Sequence, residues 1–176
     1  MANRQAIREL QGRLAERLQL ARTQGVAPSW LAVEASGHKY LFPMTQAGEI
    51  FSWDFIQQVP YTQSWFLGVA NLRGGLYGVV DLASYVTGVH SVPKTEFGRK
   101  SSRLIALNAG LDINCALLID RLSGMKNQEA FGDFSAKADS APAFFGNQYI
   151  DFSGQTWQEI NLQVLAQQVH FLTIGA

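Results

Sequence analysis

Cysteine is almost absent: Cys115 stands alone, so no disulfide can close within the chain, and its setting in Asn114-Cys115-Ala116-Leu117-Leu118-Ile119 reads as a strand thiol in a core. Charge is scarce and balanced. Fourteen basic and fourteen acidic side chains leave no formal net charge, and Lys39, Lys94, Lys100, Lys126 and Lys137 are scattered singly. Such a surface offers no electrostatic footprint for a phosphate backbone, which argues against a small-barrel nucleic-acid-binding module. Long apolar runs are missing too. No stretch approaches the ~18 residues of a membrane span, and the N-terminus lacks the apolar region of a secretory signal, so a cytoplasmic location is expected.

Motifs of nucleotide and metal chemistry are also lacking. The chain has no G-x-x-x-x-G-K-S/T loop, no G-x-G-x-x-G fingerprint, no H-E-x-x-H helix and no C-x-x-C pair. His38, His90 and His170 are far apart, and none neighbours a serine or cysteine nucleophile motif. The expectation is a protein with no catalytic residues, no cofactor and no metal. An enzyme would need a site assembled in space, with several perturbed titratable groups in one pocket.

What is present is a globular apolar balance, 47% hydrophobic with 16 glycines in 176 residues, enough for one domain or two small halves sharing a core. Ile7, Leu10, Leu14, Leu18 and Ala21 fall at spacings of three and four between Arg4 and Gln24. That stripe predicts an amphipathic helix, made basic by five arginines and ended by Gly25 and Pro28. Residues 1–28 are thus set apart from a domain over 29–176.

After Pro28 the period changes to two. Leu31, Val33 and Ala35 alternate, Ser36-Gly37-His38-Lys39 makes a turn, and Tyr40-Leu41-Phe42 returns. The pattern recurs 73 positions later, with Gly110 at the place of Gly37. A second echo, at an offset of 80, sets Gly74 and Val80-Asp81-Leu82 against Gly154 and Ile160-Asn161-Leu162. Two echoes in the same order predict two similar all-β halves, 29–90 and 102–176, each ending in a short helix. The polar stretch 91–101 would link them. Residues 127–147 read as irregular, yet they hold Phe131, Phe134, Phe144 and Phe145, which predicts a segment packed back on the second half or forming a binding surface.

The chain is organised around Phe66 to Leu82, where two apolar runs flank Arg73-Gly74-Gly75 as a hairpin does. Gly78, inside the second run, predicts a bulge or the close approach of another backbone. Read as GVANLRGGLYGVVDL, Gly68 to Leu82 resembles the signature of CheW-type chemotaxis coupling proteins, in which an Asn-Leu-Arg-Gly turn precedes an Asp-Leu strand end. Ser29-Trp30-Leu31, Ala47-Gly48-Glu49-Ile50 and Trp65-Phe66-Leu67-Gly68 make it similar to the branch found in type IV pilus chemosensory systems, the PilI type. Gly78 stands where that family commonly has proline, and Ala83 where it commonly has arginine.

The resemblance implies an all-β fold of two pseudo-symmetric, five-stranded SH3-like barrels with a hydrophobic groove between them. It also implies a non-catalytic adaptor coupling the cytoplasmic tip of a methyl-accepting receptor to the regulatory domain of a CheA-type histidine kinase, in a twitching or a flagellar chemosensory array. By the same resemblance Glu49 and Arg73 lie close together near the partner-binding surfaces. Ala47, Glu49, Asn71, Leu72, Arg73 and Gly74 are the candidate interaction residues. The plainer alternative gives Arg73 the role of capping its own hairpin by bonding loop carbonyls.

Overall fold

The structure, a computed structural model, describes residues 29–53, 55–89 and 100–176. The helix expected over Arg4–Gln24, His90 and most of the 91–101 linker lie outside them. The first elements are β1 (Ser29–Ala35), β2 (His38–Pro43), β3 (Ala47–Ser52), β4 (Phe66–Leu72), β5 (Gly75–Asp81) and helix α1 (Leu82–Thr87). Then come β6 (Arg103–Leu107), β7 (Cys115–Ile119), β8 (Arg121–Asn127), β9 (Phe131–Ser135), β10 (Phe145–Asp151) and β11 (Thr156–Ile160). Two short helices, α2 (Leu162–Ala166) and α3 (Val169–Leu172), end the chain.

The strands form two sheets, ordered β8-β1-β2-β11-β10-β9 and β3-β6-β7-β5-β4. Matching β1–β2 with β6–β7, β3 with β8, β4–β5 with β10–β11 and α1 with α2 turns one order into the other, with β9 as an added edge. The repeat legible in the glycines is therefore real in the fold. Gly37 lies in the β1–β2 turn and Gly110 in the β6–β7 connection, while Gly74 and Gly154 sit in the β4–β5 and β10–β11 turns. Each half ends in the same device: the Asp81 carboxylate accepts from the Ala83 N–H at the start of α1, and the Asn161 side chain accepts from the Val164 N–H at the start of α2.

The barrels are not cut from the chain at 91–101, as the expected halves 29–90 and 102–176 would require. Hairpin β1–β2 leaves its own half and joins β11 in parallel, and β7 joins β5 in parallel. Burial supplies the physical reason. Every residue of β7 is buried, as are Trp30 to Val33 of β1, so these strands need apolar cover on both faces. The exchange provides it. Leu31, Val33, Cys115, Leu117 and Ile119 point into one core between the sheets. Their neighbours Trp30 and Ala32 fill the hollow of the first sheet with Leu41, Tyr149 and Trp157. Ala116 and Leu118 fill that of the second with Leu72, Val79 and Leu104. Each fully buried Leu, Ile or Phe contributes about 1.5–3 kcal/mol.

Leu72, Val79, Val80, Leu82, Ile105, Leu107, Leu117 and Ile119 are all buried, and Val69 is partly so. The register irregularity anticipated at Gly78 falls on the facing strand instead, between Phe66 and Gly68. Gly78 makes room for a ring: a Cβ there would lie 3.0 Å from the Phe66 ring. The stretch read as irregular contains β9, held against the barrel by Phe131, whose ring meets Trp30 and Tyr149 at 5.9 and 5.1 Å. Phe144 is buried as well, whereas Phe134 stays 59% exposed.

Candidate functional site

The hairpin β4–β5 turns within two residues, since Leu72 pairs directly with Gly75. Both turn residues are left-handed, Arg73 at φ 51° and Gly74 at φ 86°, the combination required by the mirror-image turn that matches strand twist. Glycine takes such a φ freely and arginine does not. The turn is held by Asn71, whose side-chain oxygen accepts from the Gly74 N–H at 2.8 Å. Asn71 is thus the hairpin's cap, and the Arg73 fork is left for something else.

That something is Glu49. Arg73 Nη1 donates to Glu49 Oε1 at 2.6 Å, and the guanidinium carbon lies 5.8 Å from the centre of the Phe51 ring. Strands β3 and β4 are the two edges of the second sheet. The ion pair therefore ties the β4–β5 turn to β3 across the seam of the curled sheet. Arg73 is 75% and Glu49 56% exposed, so water screens the pair and its contribution to stability is about 0–1 kcal/mol. Two large apolar side chains on strands of the same sheet are also exposed, Ile50 on β3 and Leu76 on β5.

The six residues singled out in the sequence divide by depth. Glu49, Asn71, Arg73 and Gly74 are exposed around the seam, while Leu72 is interior to the second sheet's hollow and Ala47 is buried in the core between the sheets. Leu72 and Ala47 are therefore not on the surface of the molecule. Ile50, next to Glu49, and Leu76, opposite Asn71 in the hairpin, were not among the residues singled out in the sequence. Leu122 of β8 packs on the same inter-sheet core as Ala47 of β3, so that core reaches edge strands of both sheets.

Elsewhere the chemistry is that of a folded scaffold. Burial pushes the Cys115 thiol up to about 12, which leaves it un-ionised. His38 is exposed, its Nδ1 3.1 Å from the Ser36 carbonyl oxygen, and His170 rests its ring against Trp65 and Tyr85. Among the described residues no group of three or more His, Cys, Asp or Glu is placed to hold a metal ion, and no helix is long and apolar enough to cross a membrane.

Comparison with known proteins agrees with this geometry. The chain is 27% identical over 158 residues to protein PilI of Pseudomonas aeruginosa, covering 86% of this chain and 84% of that protein. Its fold is similar to that of the scaffolding protein TtCheW from Thermoanaerobacter tengcongensis, with a TM-score of 0.65 at 18% identity over 85% of this chain and 98% of that one. The family model described as the CheW-like domain matches residues 29–168. Two sheets exchanging hairpins about an internal repeat, an Asn-Leu-Arg-Gly turn clasped to a glutamate, and this match over most of the sequence make the chain a member of the CheW-like family, a non-catalytic coupling adaptor of chemotaxis-type signalling.

Proposed function

We propose that this adaptor serves a type IV pilus chemosensory array in the cytoplasm, coupling the tip of a methyl-accepting receptor to the regulatory domain of a CheA-type histidine kinase, with twitching motility as the output. The similarity to PilI supports the pilus assignment. The observation that carries the coupling role is the Glu49–Arg73 clasp, which spends a precise 2.6 Å contact on a pair too exposed to matter for stability. In this reading the helical tip of the receptor lays an apolar face along the groove between the barrels. A barrel end packs on the related barrel of the kinase. Signal passes as altered packing, and any phosphoryl chemistry belongs to the kinase.

Arg73→Ala, Arg73→Lys and Glu49→Ala test the clasp. All three are expected to melt within a few degrees of the parent, because the hairpin keeps its Asn71 cap and the lost pair is a screened one. Association with the kinase regulatory domain or the receptor tip, measured by calorimetry, is expected to weaken about tenfold, or roughly 1.4 kcal/mol. Arg73→Lys is expected to recover only part of it, since an ammonium cannot reproduce the planar fork. Partner binding unchanged in all three variants would remove the clasp from the interface.

A further inference from the structure

Where the core between the sheets reaches the start of β1, it opens on a strip of large apolar side chains. Met125 of β8 is paired directly opposite Leu31 of β1, so it shares the face by which Leu31 enters that core, and it is 74% exposed. Leu122, opposite Val33 on the same strand, is half-buried on that core. Met44 follows Phe42 by two residues, donates its N–H to the Ser29 carbonyl at 3.0 Å and is 36% exposed. The strip therefore belongs to the groove between the barrels. It also runs along an edge strand, and long edges are commonly covered by a helix or loop. The cations of β8 are held elsewhere: Arg121 lies 2.7 Å from Glu34, and Lys126 Nζ lies 4.9 Å from the centre of the Trp157 ring.

We propose that residues 4–24 of this same chain dock on the strip as a helix, their Ile7, Leu10, Leu14 and Leu18 stripe laid against Met44, Leu122 and Met125, as an occupant that the receptor tip must displace. The tether favours it. The chain enters the domain at Ser29, beside the strip, and residues 25–28 reach at most about 14 Å, which keeps the end of the helix near Met44 and the start of β1. As a helix, residues 4–24 are about 31 Å long, enough to cover the roughly 23 Å of β8. Methionine side chains repack readily, which suits a groove with two helical occupants in turn. The exposed carboxylate of Glu129, two residues past the Asn127 that pairs with Ser29, gives the arginine-rich helix an acidic neighbour at its C-terminal end. The displacement rests on the reading of the groove as the receptor's site; the docking does not.

The test compares amide resonances of the full, isotopically labelled chain with those of the full chain carrying Leu10→Asp and Leu14→Asp. Shifts are expected at Met44, Leu122 and Met125, and none at the Arg73 turn. Met125→Lys, at an exposed position, is expected to move the resonances of Leu10 and Leu14 in turn, an outcome independent of the first variant. Leu10→Asp with Leu14→Asp is also expected to bind the receptor's cytoplasmic tip about tenfold more tightly, as when an occupant that leaves a tenth of the sites free is removed. Groove shifts with unaltered affinity for the tip would uphold the docking and take the receptor off this groove, so the two readings fail separately. No shift at Met44, Leu122 and Met125 would overturn the proposal, and so would shifts that vanish on dilution and thus belong to a second copy. Binding of the full chain to phosphatidylglycerol–phosphatidylcholine vesicles that needs Leu10 and Leu14, with the groove resonances unmoved by the substitutions, would overturn it too, assigning the stripe to a lipid surface.

Discussion

Gly68→Ala is expected to lower stability by about 3 kcal/mol or more, adding about 1–2 kcal/mol for a left-handed non-glycine backbone to about 1–3 kcal/mol for overpacking. Gly68 sits in β4 at φ 130°. Its N-terminal neighbours on the chain return as a strap whose Gln57 exchanges both backbone hydrogen bonds with Val69, each at 2.8 Å. A Cβ on residue 68 would run into the Gln57 carbonyl, with the carbonyl carbon at 2.8 Å and Gln58 Cα at 3.0 Å. Backbone cannot swing away as a side chain can. Either the strap lifts from β4, exposing a sheet edge, or β4 deforms. For a chain of this length the loss corresponds to a fall of roughly 10 °C in Tm. Gly37→Ala is the control: φ is 79° but nothing lies within 4 Å of the added atom, so only the conformational cost of about 1 kcal/mol remains. Equal losses in the two variants would mean that the strap does not press on β4.

The second large effect belongs to Glu34. This carboxylate sits on β1 between two neighbours, with Lys39 Nζ of β2 at 3.0 Å, Arg121 Nη2 of β8 at 2.7 Å and Ser123 Oγ of β8 at 2.9 Å. Burial pushes its pKa up, but the hydrogen bonds from Lys39, Arg121 and Ser123 outweigh burial and bring it from 4.5 down to about 2. A depressed carboxyl contributes stability that is fully present above its unfolded-state value and is lost as pH falls through the folded one. The window therefore runs from about 4.5 down to about 2. Because Arg121 is 65% exposed, solvent screening discounts the shift, leaving a contribution of about 1–2 kcal/mol at neutral pH. Glu34→Gln is expected to be less stable than the parent by that amount at pH 7, with most of the difference lost by pH 2.5. Unfolding in denaturant at both pH values measures the difference, and a gap independent of pH would show that the carboxylate's charge is not what joins the three strands.

Much of this molecule was legible in the residues, and the limits of that legibility are physical. Alternating side chains gave the strands, because a half-buried strand must alternate. The spacing of Gly37 from Gly110 and of Gly74 from Gly154 gave the repeat, because turns constrain φ locally. Which sheet a hairpin joins is a non-local choice. The run Cys115-Ala116-Leu117-Leu118-Ile119 was read as a core strand, whereas β1 was read as alternating through Leu31, Val33 and Ala35, so neither its burial on both faces at Trp30 to Val33 nor the exchange of partners was anticipated. Gly78 was read as a bulge or a close backbone approach; the register shift lies on the facing strand, and the nearest group is the Phe66 ring, with the Asn114 carbonyl behind it, since a glycine in sequence does not say what fills the space it leaves. At the site, the Asn-Leu-Arg-Gly turn pointed to Arg73 and Glu49, whereas giving the cap to Asn71 required the turn's actual dihedrals.

The adaptor reading stands most directly on a reconstitution. A CheA-type kinase and the cytoplasmic part of a methyl-accepting receptor from a type IV pilus array are combined with and without this protein, and kinase autophosphorylation is followed over time. The expected result is that the receptor alters kinase activity only when this protein is present, that the protein gains no phosphate itself, and that Arg73→Ala reduces the coupling while remaining folded. Receptor control of the kinase that is equally strong without this protein would contradict the account.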